Sequence, residues 1–387
     1  MRVGIDLSPL AYGNRTRGIG VYAENLAAAL LAQDATNEYM LLTSRGPEEY
    51  VIPFPLAQNA KHISIAAPAL GRATPLASHQ MLLPLYARRL RLDVLHVPAI
   101  SFNPSMPGMA LWQTVPTVVT CHDLMPLHPE LALLSHARYR RFYKTQLSAC
   151  CRAAHLICVS EYTAREVEKK LGVAREKISV IHHGVPARAP QREISDSVRA
   201  VTTRAPFLLH VGGDEPQKDQ TTVLRAFGLL CRNPAFQHNL ILVGKHHGDD
   251  MPALEQSTRA ARRILRLYQA TRADLDALYA QCDVFVFPSL YEGFGLPVLE
   301  AMRAGAPVIT TNVSALPEIA GDAALYVEPQ NAEALARAIR RVLDDERARV
   351  QLSEAGERRA QEFTWARAAE MTRAVYAQVL AKRKQDA

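Results

Sequence analysis

No stretch of this 387-residue chain reaches the roughly 18–20 consecutive apolar residues that span a bilayer as a helix. The opening MRVGIDLSPL has neither an apolar core nor a small-residue cleavage site, so it does not read as an export signal, and a cytoplasmic protein is expected. Its six cysteines include no C-x-x-C pair, which argues against a thiol zinc site or a redox motif and favours reduced thiols in or near the core. Aromatic residues are scarce, at 6%, with two tryptophans. Internal repeats and low-complexity tracts are lacking too. What remains is 48% hydrophobic and 21% charged, the balance of a globular chain, and the length suggests two domains.

The net charge of +7 is unevenly placed. Residues 1–190 carry 20 Lys and Arg against 13 Asp and Glu, whereas residues 191–387 carry 25 of each. The first half thus holds the whole excess. Either an anionic partner sits there, such as a membrane surface or a phosphorylated substrate, or the surface is simply basic in an arginine-rich chain.

Short β-branched runs alternate with longer amphipathic ones. Strands are predicted at 2–8, 39–44, 94–98, 115–121, 156–160 and 178–182, with helices at 20–33, 76–90, 134–153 and 163–171. Residues 186–206 are polar and rich in Pro and Arg, and read as a linker. The alternation then restarts, with strands at 207–212, 239–244, 284–288 and 307–310 and helices at 219–232, 274–281, 297–304, 331–344 and 348–362. Such alternation implies parallel sheets covered on both faces. The expected domains are 1–190 and 191–364, with an amphipathic segment from about 365 to 387 packing back on the first. Ligands of open parallel sheets lie beyond the carboxyl ends of the strands, so motifs that follow strands carry most weight.

The densest of these is PSLYEGFGLPVLEAMRAGAPVITTNVSALPEIAG, residues 288–321. Gly293 and Gly295 allow a sharp turn and close approach to a ligand. Pro297 suits the first position of a helix, and free N–H groups around Leu296, Val298 and Leu299 would form an anion site with the helix dipole. Glu292 and Glu300 would be repelled by a phosphate but accept well from vicinal hydroxyls. A ligand with a central diphosphate and a diol on each side, a nucleotide sugar, fits this layout. The plainer alternative makes Glu292 a loop residue and Glu300 a dipole-stabilising charge.

Glu292-x7-Glu300 within this stretch resembles the signature of the retaining glycosyltransferases of family 4. The resemblance extends to GIDLSPL, RGIGVYAENLAAAL, HDLMPLHPE, VSEYTAREV, HHGV and HVGGDEPQKD. It implies the GT-B fold, two Rossmann-like doubly wound parallel-sheet domains facing a deep cleft, and bacterial mannosyltransferases of surface polysaccharides look most similar. It further implies that Glu300 binds the donor ribose and that Glu292 meets hydroxyls of the transferred hexose. Gly295, Leu296 and Pro297 would approach phosphates and sugar, and Lys218 would pair with the diphosphate. Gln217 stands where the family usually has a second basic residue. Gly18 and Gly20 would approach donor and acceptor, and His122 would lie near the transferred sugar. GIGVYA also fits a dinucleotide fingerprint, but nine residues separate it from its strand.

The expected activity is retaining hexosyl transfer without a metal or other cofactor. GDP-mannose is favoured as donor by similarity; a UDP- or dTDP-sugar, or a catalytically silent partner protein, is the alternative. Asp274-Leu275-Asp276 matches a metal-binding pattern but falls in a predicted helix, and the His pairs at 182–183 and 246–247 lack metal spacing. A saccharide or lipid-linked saccharide is the expected acceptor. Basic and aromatic residues at 135–152 and 87–91, with apolar 99–112, suggest peripheral contact with an anionic membrane. No base-reading module for nucleic acid is present.

Overall fold

A computed structural model describes residues 1–8, 10, 18–44, 52, 54–65, 78–101, 108–131, 136–185, 193–203, 205–245 and 261–385. The chain divides into two compact units, Met1–Gly184 with Thr364–Ala387, and Val185–Phe363.

The first unit carries strands β1 (Arg2–Asp6), β2 (Glu38–Ser44), β3 (Ala60–Ile65), β4 (Val94–Val97), β5 (Thr117–Cys121), β6 (His155–Cys158) and β7 (Ile178–Val180), and helices α1 (Gly18–Gln33), α2 (Leu83–Arg89), α3 (Ala137–Cys151) and α4 (Glu161–Leu171). Every pairing is parallel, in the order β3-β2-β1-β4-β5-β6-β7. Successive strand residues face opposite sides, and both sides are buried. Leu41 and Val118 join Tyr22, Leu26, Trp365 and Tyr376 in one core, while Leu42 and Val119 join Leu83, Tyr143 and Leu147 in another. The C-terminal helix Trp365–Gln385 therefore belongs to this unit, against α1. A buried polar chain fixes it: His96 Nδ1 lies 2.6 Å from the Tyr376 hydroxyl, and Thr120 Oγ1 lies 2.8 Å from both His96 Nε2 and the Tyr22 hydroxyl. Local signals agree with the packing. Ser160 caps α4 by accepting from Thr163 N–H at 3.1 Å, and Gly172 ends it with φ +67°.

The second unit carries α5 (Asp196–Thr202), β8 (Phe207–Val211), α6 (Gln220–Leu230), β9 (Asn239–Val243), β10 (Ile264–Leu267), α7 (Arg272–Gln281), β11 (Val284–Phe287), α8 (Leu296–Arg303), β12 (Val308–Thr311), α9 (Leu316–Ala320), β13 (Leu325–Val327), α10 (Ala332–Asp344) and α11 (Glu346–Ala360). Its sheet is parallel in the order β10-β9-β8-β11-β12-β13. The order reverses between β8 and β11, as it does between β1 and β4. Those are the switch points where open α/β sheets take ligands.

Three expectations are corrected. The supposed linker contains α5, capped by Ser195; residues 186–192 and 204 of it lie outside the described residues. The helix expected over 76–90 opens with a π-helical turn, Ser78–Leu82, before α2, and 76–77 lie outside the described residues. Strands β3, β10 and β13 were not predicted. No helix among the described residues is long and apolar enough to cross a membrane.

Candidate active site

Beyond β8 the chain passes Gly212 and Gly213 and makes a tight turn at Pro216–Lys218. The loop after β9 presses on it: a Cβ on Gly244, whose φ is +144°, would sit 2.5 Å from the Gly212 carbonyl oxygen. The Gln217 carbonyl accepts the Leu290 N–H at 2.7 Å, joining the β8 loop to the β11 loop across the switch point. Lys218 Nζ then donates to Glu292 Oε1 at 2.6 Å and lies 4.9 Å from the centroid of the Phe287 ring. Ser289 Oγ lies 2.8 Å from the same Glu292 oxygen and 2.7 Å from the Gln217 carbonyl, and its single proton serves one at a time. Glu292 is held by its backbone as well, its N–H donating to Ser314 Oγ at 2.9 Å.

Gly295 precedes α8 with φ +102°, a conformation that favours glycine. Leu296 is the first helical residue and Pro297 the second, one place later than the sequence suggested. A further correction concerns the helix mouth. The N–H groups of Val298 and Leu299 both reach the Gly295 carbonyl, at 3.0 and 3.3 Å, so they are already engaged. Leu296 keeps an N–H without a partner among the described residues.

Glu300 faces inward in α8 and is 7% exposed. Its Oε1 accepts from Arg272 Nη1, and its Oε2 from the Tyr279 hydroxyl at 3.3 Å. Arg272, the first residue of α7, also donates to Asp276 from Nε at 3.1 Å and from Nη2 at 2.8 Å, and Arg303 Nη2 meets the same Asp276 oxygen at 2.8 Å. Burial pulls the Arg272 guanidinium down, but Glu300 and Asp276 more than offset that and hold it above its ordinary value. Burial, and then the Glu300 charge, push the Tyr279 hydroxyl well up. Asp274 serves structure: its carboxylate completes the capping box with Thr271 and accepts from Ser195 N–H at 2.7 Å.

In the first unit Gly18 and Gly20 form the opening turn of α1. Residues 11–17, which precede them, lie outside the described residues, as do His246 and His247. Tyr22, one turn on, packs edge-to-face on His122 with centroids 4.8 Å apart. His122 Nε2 lies 2.7 Å from the Pro98 carbonyl, which fits an Nε2–H tautomer. Burial pushes its pKa down to about 4 despite that hydrogen bond, so the ring is neutral at pH 7.

Residues 191–359 match the family described as Glycosyl transferases group 1, and residues 16–188 match that described as Glycosyltransferase Family 4. A glycogen synthase of Mycobacterium tuberculosis is 30% identical over 67% of this chain and 68% of its own length. The chain belongs to glycosyltransferase family 4. A serotype-specific mannosyltransferase, WbdA of Escherichia coli, is 28% identical over 70% of this chain, and this chain spans 34% of that relative's length. Among solved structures, sucrose-phosphate synthase from Thermosynechococcus elongatus superimposes with a TM-score of 0.77 over 99% of this chain and 100% of its own, at 21% identity. The fold is GT-B.

For this glycosyltransferase, the sequence reading groups residues that the structure places in two sets. Lys218, Glu292, Gly295, Leu296, Pro297 and Glu300 belong to the second unit; Gly18, Gly20 and His122 belong to the first. Sequence reasoning missed Ser289, a local partner of Glu292, and Ser314, Arg272 and Tyr279, which reach Glu292 and Glu300 from 21 to 28 positions away. It also passed over His183, whose ring lies 5.3 Å from that of His122, 4.9 Å from Tyr22 and stacked on Trp365 at 5.9 Å. HHGV was the only signal for it.

Proposed function

We propose that this glycosyltransferase moves mannose from GDP-mannose, with retention of configuration, to a saccharide or lipid-linked saccharide in surface polysaccharide synthesis. The observation that carries the donor site is the Lys218 ammonium, held by Glu292 at the β8/β11 switch point beside the Gly295–Pro297 turn. In this reading a diphosphate draws Lys218 toward itself and leaves Glu292 to accept from hexose hydroxyls. Leu296 N–H adds a donor to the phosphates. Glu300 takes the ribose diol while sharing its oxygens with Arg272 and Tyr279.

The bond between the anomeric carbon and the diphosphate oxygen breaks as the acceptor oxygen bonds on the same face. The acceptor proton passes to the departing diphosphate. The protein orients both partners and stabilises charge; Lys218 balances the negative charge that grows on the leaving group, without a divalent ion. His122, neutral at pH 7, positions a sugar hydroxyl by hydrogen bonding. The serotype-specific mannosyltransferase relative supports mannose and a surface glycan. The glycogen synthase relative supports a second reading, a glucosyl nucleotide as donor.

Calorimetry with GDP-mannose, UDP-glucose and a dTDP-sugar distinguishes the donors, and the anomeric coupling of the product by NMR tests retention. Binding of no nucleotide sugar would remove the reading. Unchanged donor affinity in Glu300→Ala would remove the ribose assignment alone.

A further inference from the structure

One flank of the first unit pairs exposed apolar side chains with charge of a single sign. Four of the eight large apolar residues exposed among the described residues gather there: Met81 at 62%, Leu85 at 50%, Leu111 at 43% and Trp112 at 51%. Met81, Leu111 and Trp112 are neighbours through Gln80, and Leu85 follows Pro84, whose carbonyl is tied to the same segment. The Leu111 N–H donates to Gln80 Oε1 at 2.9 Å, and Trp112 Nε1 to the Gln80 carbonyl at 2.7 Å. Arg152 Nη2 reaches the Leu111 carbonyl at 2.9 Å from the end of α3, and Thr114 Oγ1 the Pro84 carbonyl at 2.7 Å. The segment bearing Leu111 and Trp112 is thus braced between α2 and α3 in its exposed form, which lowers the ordering cost of a contact.

The segments that carry the patch are basic. Across 78–91, 108–116 and 136–152, the segments that build this flank, the sequence has eight Arg and Lys and no Asp or Glu. Arg88, Arg89, Arg141 and Lys144 are exposed. Isolated exposed apolar residues need no explanation, but a cluster of them on segments of one charge marks a contact surface. A nucleic acid would use the charge and leave the Trp, Leu and Met side chains in water. An anionic bilayer uses both, since indole and aliphatic groups settle at headgroup depth while guanidinium groups meet phosphate.

We infer that this flank seats the first unit on the anionic surface of a lipid bilayer, with Met81, Leu85, Leu111 and Trp112 entering the headgroup layer. The inference is independent of the donor reading. The chain's two tryptophans make it directly testable, because Trp365 is 8% exposed and sits in the core, so a change of emission reports Trp112. Phosphatidylglycerol–phosphatidylcholine vesicles are expected to float the full chain and shift its emission to the blue, in a salt-sensitive manner, while phosphatidylcholine alone does neither. Trp112→Phe should abolish the shift. Arg141→Gln with Lys144→Gln should weaken binding about thirtyfold, at about fivefold per charge. Met81→Ser with Leu85→Ser should weaken binding too, with the thermal melt of the protein unchanged. Flotation without a blue shift, vesicle binding indifferent to these substitutions, or retention on heparin with no vesicle binding would each overturn it.

Discussion

Lys218→Met is the most informative substitution in the second unit. Its side chain and that of Glu292 are 18% and 13% exposed and lie 2.6 Å apart. Removing one partner of a well-buried pair costs about 3–5 kcal/mol. Here Ser289 Oγ stays 2.8 Å from the same oxygen, so a smaller loss, about 2 kcal/mol, is expected. For a unit of this size that lowers its melting temperature by about 4–8 °C. Glu292→Gln in the Lys218→Met background should return at least half of it, because no uncompensated carboxylate remains. Catalysis should suffer more than stability. Loss of one preorganised positive group at a developing anion costs about 100- to 1,000-fold in rate, and Lys218→Arg should recover part of that by keeping the charge. The assay is kcat/KM for transfer, with the melt run in parallel on all four proteins. If Lys218→Met loses the predicted stability but less than tenfold in kcat/KM, the pair is a strut between the β8 and β11 loops and the donor-clamp assignment is wrong.

Gly295→Ala should cost about 1–3 kcal/mol, since φ is +102° and the new Cβ would lie 2.9 Å from Leu316 Cδ2; donor affinity should fall with it, and a wild-type melt would refute the strain. Acid should weaken the first unit well above the carboxylate range. Burial pushes His96 down to about 3 and His122 to about 4, so both are neutral in the fold, whereas the unfolded chain protonates them below about pH 6.5. Stability therefore falls as pH drops through 6.5 and stops falling only at the folded values; at pH 5 each histidine has removed about 2 kcal/mol. His183, also held well below its ordinary value, adds to this, and the second unit has His210, at about 4. Calorimetric melts at pH 7 and pH 5 check it, and equal melting temperatures would refute it.

The elements that escaped prediction share a cause. β3, β10 and β13 each lie at a sheet edge, where one side of the strand lacks a neighbour. Their sequences AKHISI, ILRL and LYV are accordingly short or mixed with polar residues, and two of the three are only partly buried along most of their length. Central strands such as β5 and β11 are buried throughout, and their sequences TVVTC and VFVF are free of charge and rich in β-branched and aromatic residues. The seven-residue α5 hid in a stretch dominated by Pro and Arg, where its cap, Ser195, is the one local signal. At the candidate site, the turn of Gly293, Gly295 and Pro297 is written in the local sequence because it depends on backbone preferences. The hydrogen bonds around it join residues 72 and 28 positions apart, as between Gln217 and Ser289 or Arg272 and Glu300, and depend on how strands and helices are ordered in the sheet.

That dependence matters most at Glu300. The family resemblance makes it an acid whose two oxygens accept from a ribose diol, while its spacing alone fits a charge that stabilises the helix dipole equally well. In the fold one oxygen already carries Arg272 and the other Tyr279, and Arg272 is itself anchored to Asp276. A carboxylate has about four acceptor positions, so two remain for hydroxyl donors, in directions that Arg272 and Tyr279 dictate. Arg272 and Tyr279 thus compensate the Glu300 carboxylate and fix its orientation. The consequence for binding is twofold. A diol meets a carboxylate already in position, which lowers the reorganisation that binding requires. It also meets one whose charge is shared with a guanidinium, which lowers the strength of each new hydrogen bond. If Glu300 takes the ribose as proposed, that contact is a matter of orientation more than of raw attraction, and the affinity for a nucleotide would rest more heavily on Lys218 and the diphosphate.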